Sequence, residues 1–271
     1  LKNTLSGGVA DVTLSGPVSS VPNISDSPLI WHPVDPAARY AIKWEALPVN
    51  RDCGYSCDGV SLYANGACQT TLRCQDATAM SSNLYLFEYD TSTTAWKKSL
   101  IDQAWGGTRV RFDFVTFKNV QLVLYYGKDR YAKIAQRVRS GNLWSAWEIT
   151  TLSTQFGGWD SHNYLAMTID INHNVHVSGN MHASPLVYFR GTGYFGGSAA
   201  LTYTKMPMTG LNESSTTYPT FFRGPDGTLL FYYRSGSSGS GDSYLNRYDE
   251  HNGSWHAMHG ATAPIPIFKG K

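Results

Sequence analysis

Charge and long apolar runs are what this sequence has least of. Only 15% of its residues are charged and the formal net charge is +2, a balance that indicates neither a nucleic-acid-binding surface nor an acidic tail. Nowhere does the chain contain the ~18 consecutive apolar residues that a membrane-spanning helix needs, so we expect no membrane insertion. The chain starts at Leu1 with neither an initiator methionine nor an apolar signal core. We therefore expect a processed or trimmed form.

Cysteine is confined to one short segment of the chain. Cys53, Cys57, Cys68 and Cys74 are the only cysteines, and their spacing differs from that of the tight pairs in common zinc sites. The residues between them are polar and typical of loops. We predict a disulfide-rich loop over 53–74 in a secreted protein, with a zinc site as the alternative.

Helical periodicity is almost absent as well. The apolar segments are short, alternate with polar residues and are bounded by Gly, Asn, Asp, Ser or Pro. This pattern is typical of β-strands and predicts an all-β protein. The clearest predicted strands cover residues 84–89, 120–126, 175–177, 186–189 and 229–233.

A loose repeat runs along the chain. Tyr89-Asp90 is followed by Trp96, and Tyr248-Asp249 is followed by Trp255 at the same interval. Units of a few strands closed by an aromatic residue are typical of β-propeller blades, which must stack to bury their faces. We predict a single propeller domain over 1–271, built from four-stranded antiparallel blades, with residues 235–243 as a long hairpin loop.

Polar residues able to exchange protons or bind an anion stand at predicted strand ends. His162 follows a Gly-Gly turn, His182 begins a strand, Tyr218 precedes Pro219, and Arg234 ends an apolar strand. We expect the proline to hold the backbone of Tyr218 extended. Strand ends converge on one face of a propeller, so these side chains can form one site. A single histidine in a β-protein is usually structural, and His176, in an alternating strand, is interpreted that way.

Longer strings make the pattern specific. Trp159-Asp160-Ser161-His162-Asn163, His176-Val177-Ser178-Gly179-Asn180-Met181-His182, and the segment from Tyr218-Pro219 through Gly224-Pro225-Asp226-Gly227 to Tyr233-Arg234 resemble the BNR-repeat-containing propeller family. That family includes ulvan lyases and related rhamnose–glucuronate lyases. The resemblance covers roughly residues 155–260 and implies a seven-bladed propeller. The chain is short for seven blades, so we expect a truncated form.

The resemblance also implies a function. A family lyase cleaves the rhamnose-(1→4)-glucuronate bond of an acidic polysaccharide such as ulvan by β-elimination, leaving an unsaturated uronate. His162 and His182 would form the histidine pair, Tyr218 the acid or acid/base, and Arg234 the carboxylate clamp. The base within the pair is not assigned. Predicted substrate-binding residues are Asn163, Asn180, Arg190, Tyr233 and Tyr244.

Two other functions remain open at this point. A propeller glycoside hydrolase would need a pair of carboxylates, or a tyrosine nucleophile with a partner acid, and Asp160 and Asp226 are the nearest candidate acids. A carbohydrate-binding propeller without catalysis would leave the polymer intact. We expect a monomer whose partner is an acidic polysaccharide, with no nucleic acid or membrane partner and no cofactor needed for the chemistry. A structural Ca²⁺ is compatible with this propeller type, although no Asp-rich loop marks its site.

Overall fold

A computed structural model describes residues 29–31, 39–46, 62–64, 67–69, 81–90, 93–105, 110, 112–157, 160–192, 201–258 and 267. Within these ranges every regular element is a β-strand, nineteen in all. A search of the same residues finds no helix that could span a membrane. The chain divides into two compact units, one formed by residues 1–109, 126–131 and 157–160 and the other by residues 110–125, 132–156 and 161–271.

The first unit contains one four-stranded sheet and one short hairpin. Sheet order is β1-β2-β5-β6, and the hairpin pairs β3 with β4. Alternation along β5 points Leu84 and Leu86 into the core, as expected for a half-buried strand. The strands are β1 (Leu29–Trp31), β2 (Arg39–Ala46), β3 (Leu62–Ala64), β4 (Ala67–Gln69), β5 (Ser81–Asp90) and β6 (Ala95–Trp105).

Three sheets follow one another along the rest of the chain. The first has the order β10-β9-β8-β7, and β11 also pairs with β9. Its strand β8 is buried at every residue, which explains its continuous apolar sequence. The strands are β7 (Asp113–Phe117), β8 (Val120–Tyr126), β9 (Tyr131–Ser140), β10 (Leu143–Trp144) and β11 (Glu148–Gln155).

The second and third of these sheets have four strands each, in simple antiparallel order. Chain neighbours are sheet neighbours throughout, as β12-β13-β14-β15 and β16-β17-β18-β19. Their strands are β12 (Leu165–Ile169), β13 (Val175–Gly179), β14 (Tyr188–Thr192), β15 (Thr202–Lys205), β16 (Thr216–Arg223), β17 (Leu229–Gly236), β18 (Gly241–Asp249) and β19 (Ser254–Ala257).

The first strands of these three sheets lie side by side. The backbone N–H of Met167 on β12 donates to Asp113 Oδ2 on β7 at 3.0 Å. Arg223 on β16 donates from Nη2 to the carbonyl of Ile169 on β12 at 3.1 Å. Successive antiparallel sheets of four strands, with β11 as an addition to the first, are joined through their first strands as propeller blades are, so the predicted all-β fold and blade type are confirmed. The blade number and the single domain over 1–271 stay predictions.

Aromatic residues fill the core of the last blade. The cluster includes residues of β14 in the preceding blade and of β17, β18 and β19 in the last blade. It therefore joins the two blades. Such large rings bury much apolar surface and contact one another edge to face. Its buried members are Tyr188, Leu229, Phe231, Tyr233, Tyr244, Tyr248 and Trp255.

The serine- and glycine-rich segment forms a hairpin that is tighter than predicted. Strand β17 continues to Gly236 and β18 begins at Gly241, so the turn itself covers only residues 237–240. Both glycines have positive φ values, 132° and 119°, and a Cβ at Gly236 would lie 2.5 Å from the carbonyl oxygen of Ser240. Glycine is needed at this turn because its backbone approaches itself too closely for a side chain.

The disulfide prediction falls almost wholly outside the described residues. Cys53, Cys57 and Cys74 lie there, and for Cys68 the structure describes only the backbone, which pairs with Tyr63 across the β3–β4 hairpin. The bridged loop over 53–74 therefore stays a prediction.

Candidate functional site

Four of the predicted site residues lie at one end of the last two blades. His162 lies before β12 and His182 after β13, while Tyr218 is near the start of β16 and Arg234 near the end of β17. Antiparallel pairing places these termini together, and a backbone bridge between Ser184 and Thr216 joins the two blades there. The topology thus brings together side chains from distant parts of the sequence.

The side chains of these four residues contact one another. The rings of His162 and His182 are stacked with centroids 4.2 Å apart. The ring of Tyr218 approaches His162 edge-on at 5.7 Å, and the Arg234 guanidinium carbon lies 5.4 Å from the centre of the Tyr218 ring. All four are half-buried. Two imidazoles, a phenol and a guanidinium therefore form one continuous cluster that is partly open to solvent.

The loop that carries His182 is held by its backbone and by its neighbour Asn180. Gly179 has a φ of 151°, and a Cβ there would lie 2.8 Å from Leu165 Cα, which only glycine avoids. Asn180 adopts a φ of 61°, and its amide nitrogen donates to Thr154 Oγ1 at 2.7 Å and to the Gln155 carbonyl at 2.9 Å. These contacts to β11 fix the direction in which the chain leaves β13.

The backbone N–H and carbonyl of Ser238 connect His182 to Arg234. Its N–H donates to His182 Nε2 at 3.3 Å, and its carbonyl accepts from Arg234 Nη1 at 2.8 Å. A nitrogen that accepts a hydrogen bond carries no proton, so this contact fits the tautomer of His182 with its proton on Nδ1. The short 237–240 turn thus sets both the tautomer of the histidine and the direction of the arginine.

Tyr218 has an unusual backbone conformation. Its φ is 63°, and the pairing of β16 with β17 shifts register between Thr217 and Thr220. A β-bulge of this kind re-aims a side chain, and a positive φ in an aromatic residue is strained. The expectation of an ordinary extended backbone before Pro219 is therefore wrong, because the bulge rotates Tyr218 out of the strand. That rotation presents its ring to His162 and Arg234.

Arg234 is a half-buried cation with an incomplete set of hydrogen bonds. Its Nη1 donates to the Ser238 carbonyl, but its Nε is buried without a hydrogen-bond partner. Among the described residues no carboxylate forms an ion pair with it. A half-buried guanidinium in this state favours an anionic ligand, above all a planar carboxylate.

The predicted substrate-binding polar residues differ in position. Asn163 is half-buried beside His162. Asn180 uses both of its amide protons within the protein, so only its carbonyl oxygen remains for a ligand. Arg190 donates to the Gly253 carbonyl at 2.9 Å, in the β18–β19 turn at the other end of the blade. Arg190 is therefore directed away from the cluster.

Tyr233 requires a correction. It is fully buried and donates to the Leu211 carbonyl at 3.1 Å, and Tyr244 stacks on it with centroids 5.7 Å apart. A fully buried side chain cannot contact a polysaccharide, whereas the role of Tyr244 stays a prediction. Alternation along β17 explains the error, since neighbouring residues of a strand point to opposite faces. The tyrosine on the same face as Arg234 is Tyr232, which contacts Ser243 Oγ at 2.8 Å.

The two carboxylates considered for a hydrolase lie in different surroundings. Asp226 lies in the β16–β17 turn, separated from Tyr218 by residues 219–223 of β16, which span about 16 Å at ~3.3 Å per residue. Hydrogen bonds from the Thr228 side chain and backbone lower the pKa of Asp226, as is usual for an acid that stabilises a turn. Asp160 differs, because a carboxylate oxygen of Asp160 and ring nitrogens of His162 and His182 all lie within 4.8 Å of one another.

Sequence reasoning missed two contributions to the cluster. One is the backbone of Ser238, which no side-chain pattern could reveal. The other is Thr217, which is buried directly before Tyr218 and contacts both the His182 loop and the Arg234 hairpin. Its only signal in the sequence is its position before the Tyr-Pro pair.

Comparison with known proteins places these blades in a family context. A family model described as "BNR repeat-containing family member" matches residues 120–264. The long-isoform ulvan lyase of Glaciecola sp. (strain KUL10) is 43% identical over 58 residues, which are 20% of this chain and 6% of that protein. The short-isoform ulvan lyase of Alteromonas sp. (strain LOR) is 41% identical over 58 residues, 20% of this chain and 11% of that protein.

Solved structures with a related fold include the polysaccharide lyase Uly1. It aligns with a TM-score of 0.45 and 20% identity, covering 59% of this chain and 43% of that one. The aligned part of this chain thus spans only a small fraction of the curated ulvan lyases and less than half of this structure.

Proposed function

Because this chain belongs to the BNR repeat-containing family, we propose that it is a polysaccharide lyase that cleaves a uronate-containing polysaccharide by β-elimination. The observation that carries the proposal is the contact of Arg234 with Tyr218, which in turn contacts the stacked pair of His162 and His182. The local similarity to two ulvan lyases supports the same class of reaction.

The proposed reaction needs three groups and no bound cofactor. A base takes the proton from C5 of the uronate, the C4–O4 bond breaks as a C4–C5 double bond forms, and the departing O4 receives a proton. The C5 proton is weakly acidic, and its loss places extra negative charge on the adjacent carboxylate. Stabilising that charge is the main demand on the protein, because it builds up in the transition state.

Arg234 fits the role of carboxylate clamp. Its guanidinium stays charged at all relevant pH values and offers paired N–H donors to a carboxylate. One arm is held by the Ser238 carbonyl and its face lies against Tyr218, so its direction is set before substrate binds. A preorganised charge of this kind stabilises the developing anion without further rearrangement.

The tautomer of His182 supports a division of roles within the histidine pair. With Nε2 accepting from Ser238, the proton of His182 is on Nδ1, from which it is donated to the uronate carboxylate. The base is then His162, which stacks against it, and Tyr218 protonates the leaving oxygen. Each role matches the ordinary acid–base chemistry of the side chain.

The proposed substrate is the rhamnose-(1→4)-glucuronate bond of ulvan or of a similar acidic polymer. Secretion belongs to the same proposal, because an extracellular polymer has to be cleaved outside the cell.

Incubation with ulvan and, separately, with gum arabic tests the proposal. We expect ultraviolet absorbance from an unsaturated uronate with ulvan, and none with the Tyr218→Phe variant. Gum arabic carries rhamnose-capped glucuronate, so activity there would define the substrate range. New reducing ends without ultraviolet absorbance would indicate a hydrolase, and binding without cleavage would indicate a carbohydrate-binding protein. Either result would overturn the proposal.

A further inference from the structure

The hydroxyl of Thr217 lies between the two segments that carry His182 and Arg234. It accepts a hydrogen bond from the Ala183 N–H at 2.8 Å and donates one to the Gly236 carbonyl at 2.6 Å. The residue is fully buried, so water does not compete for these contacts. One side-chain oxygen therefore joins the loop after β13 to the hairpin after β17.

Each contact of Thr217 is next to a residue of the proposed active site. Ala183 follows His182 directly, and Gly236 lies midway between Arg234 and Ser238. Tyr218 is the neighbour of Thr217 in the bulged strand. We propose that Thr217 is a positioning residue whose hydroxyl sets the arrangement of the histidine pair, the tyrosine and the arginine. The inference rests on the proposed lyase function for its catalytic consequence.

The hairpin is held from both sides of Gly236. Its N–H donates to the Ser215 carbonyl at 2.7 Å, and its carbonyl accepts from Thr217. These two hydrogen bonds fix the start of the 237–240 turn and hence the direction of the Ser238 backbone. Because the Ser238 N–H donates to His182 Nε2 and its carbonyl accepts from Arg234, loss of the Thr217 hydroxyl would release both His182 and Arg234.

A hydroxyl is required here rather than any side chain of the same size. Valine has the shape of threonine but neither donates nor accepts, so it would leave a buried N–H and a buried carbonyl unpaired. Serine retains both hydrogen bonds. Thr216 offers a matched control for the link to the hairpin, since it is equally buried and its hydroxyl contacts the His182 loop, at the Ser184 carbonyl (2.9 Å) and Met181 Sδ (3.2 Å), but does not reach the hairpin.

The test compares Thr217→Val, Thr217→Ser and Thr216→Val in the full chain. Nitrogen chemical shifts of labelled histidines, assigned through a His182→Gln variant, report the tautomer of His182. We expect Thr217→Val to convert the Nδ1–H form into a mixture of both tautomers, whereas Thr217→Ser and Thr216→Val keep it. With ulvan, kcat should fall about 10- to 100-fold in Thr217→Val with a smaller change in KM, the size of loss expected for a misplaced catalytic group.

The two readouts separate this inference from the proposed function. An unchanged His182 tautomer in Thr217→Val, or an equal change in Thr216→Val, would overturn the positioning role even if the protein is a lyase. A changed tautomer in a protein without lyase activity would support the structural link and refute the proposed reaction. If Thr217→Val does not fold, Thr217→Cys, which hydrogen-bonds only weakly, should show a partial change of tautomer, and a parent-like tautomer there would count against the inference.

Discussion

His176 and His182 belong to the same short segment but have opposite surroundings. His176 is fully buried, with Nε2 3.2 Å from Asp170 Oδ2 and Nδ1 2.7 Å from the Tyr188 hydroxyl. The edge of Tyr248 also packs against its ring, with centroids 4.5 Å apart. His182 is half-buried, stacks on another imidazole and accepts from a backbone N–H.

The two histidines also differ in tautomer. Asp170, when ionised, can only accept, so His176 donates from Nε2 and its Nδ1 accepts from the Tyr188 O–H. His182 has the reverse arrangement, with its proton on Nδ1. Both nitrogens of His176 are used inside the core, which leaves it no chemical task. The comparison teaches that partners, rather than residue type, separate a structural histidine from a candidate catalytic one.

Burial and hydrogen bonding shift the pKa values of His176 and Asp170 in opposite directions. Burial lowers the pKa of His176, although the hydrogen bond to Asp170 acts in the opposite direction. Burial alone would raise the pKa of Asp170, but hydrogen bonds from His176 and Asn174 outweigh it, and the pKa lies below its ordinary value. The pair is therefore an ionised carboxylate and a neutral imidazole near neutral pH.

The largest effect is expected on turnover, from a substitution in the proposed active site. His162→Ala removes the proposed base, so turnover of ulvan should fall by ~10²–10⁴-fold, the usual contribution of proton transfer. Steady-state kinetics measures the loss, and thermal unfolding should show a Tm close to that of the parent. A variant that retains full turnover would exclude His162 from the chemistry.

Replacing the guanidinium of Arg234 should lower kcat somewhat less. Arg234→Lys keeps a positive charge but loses the paired donors, and kcat should fall ~10²–10³-fold, as when a preorganised donor is lost. Kinetics on ulvan gives the value. Arg247→Lys on the same blade, exposed on β18, is the control and should behave as the parent does. Equal losses in both variants would show that Arg234 has no special role.

The buried side of the comparison predicts a loss of stability. His176→Ala leaves Asp170 and Tyr188 without their shared partner, so the free energy of unfolding should fall by about 1–3 kcal/mol or somewhat more with the cavity. Urea denaturation measures this change. For protein that remains folded, kcat should stay near the parent value. A large fall in kcat without a loss of stability would reverse the assignment of the two histidines.

The smallest expected effect is on how the free energy of unfolding depends on pH. The unfolded chain binds a proton at His176 more readily than the folded protein does, so the free energy of unfolding should decrease as the pH falls below about 6.5. Asp170 adds a further loss below about 3.9, because its folded pKa is also lowered. Tm measured between about pH 7.5 and 5 should fall less steeply in His176→Ala than in the parent. Parallel curves would show that His176 does not contribute.

Strand positions were predictable where alternation or a continuous apolar run was strong. The predicted strand at 120–126 coincides with β8, and those at 175–177 and 229–233 lie within β13 and β17. The predicted strand at 186–189 was shifted, because β14 begins at Tyr188. Leu186 instead donates its N–H to the Glu213 carbonyl in a loop contact that local sequence cannot reveal.

The candidate site was predictable as a set but not in detail. Matching strings selected His162, His182, Tyr218 and Arg234, and the structure places these side chains in contact. Tyr233 belongs to the same matching string as Arg234, but strand alternation places the two side chains on opposite faces. The bulge at Tyr218 could not be foreseen, since its register depends on how β16 pairs with a strand that follows later in the chain.

The sequence by itself determined the all-β class and the blade-like repeats, because alternation and turn residues act over a few neighbouring positions. Only the tertiary structure decided how His176 is packed and which tautomer His182 adopts. The ring of His176 packs against Tyr248 and Trp255, and the tautomer of His182 depends on Ser238, all more than 50 positions away along the chain. Burial and hydrogen bonding are properties of neighbours in space, so no local pattern can specify them.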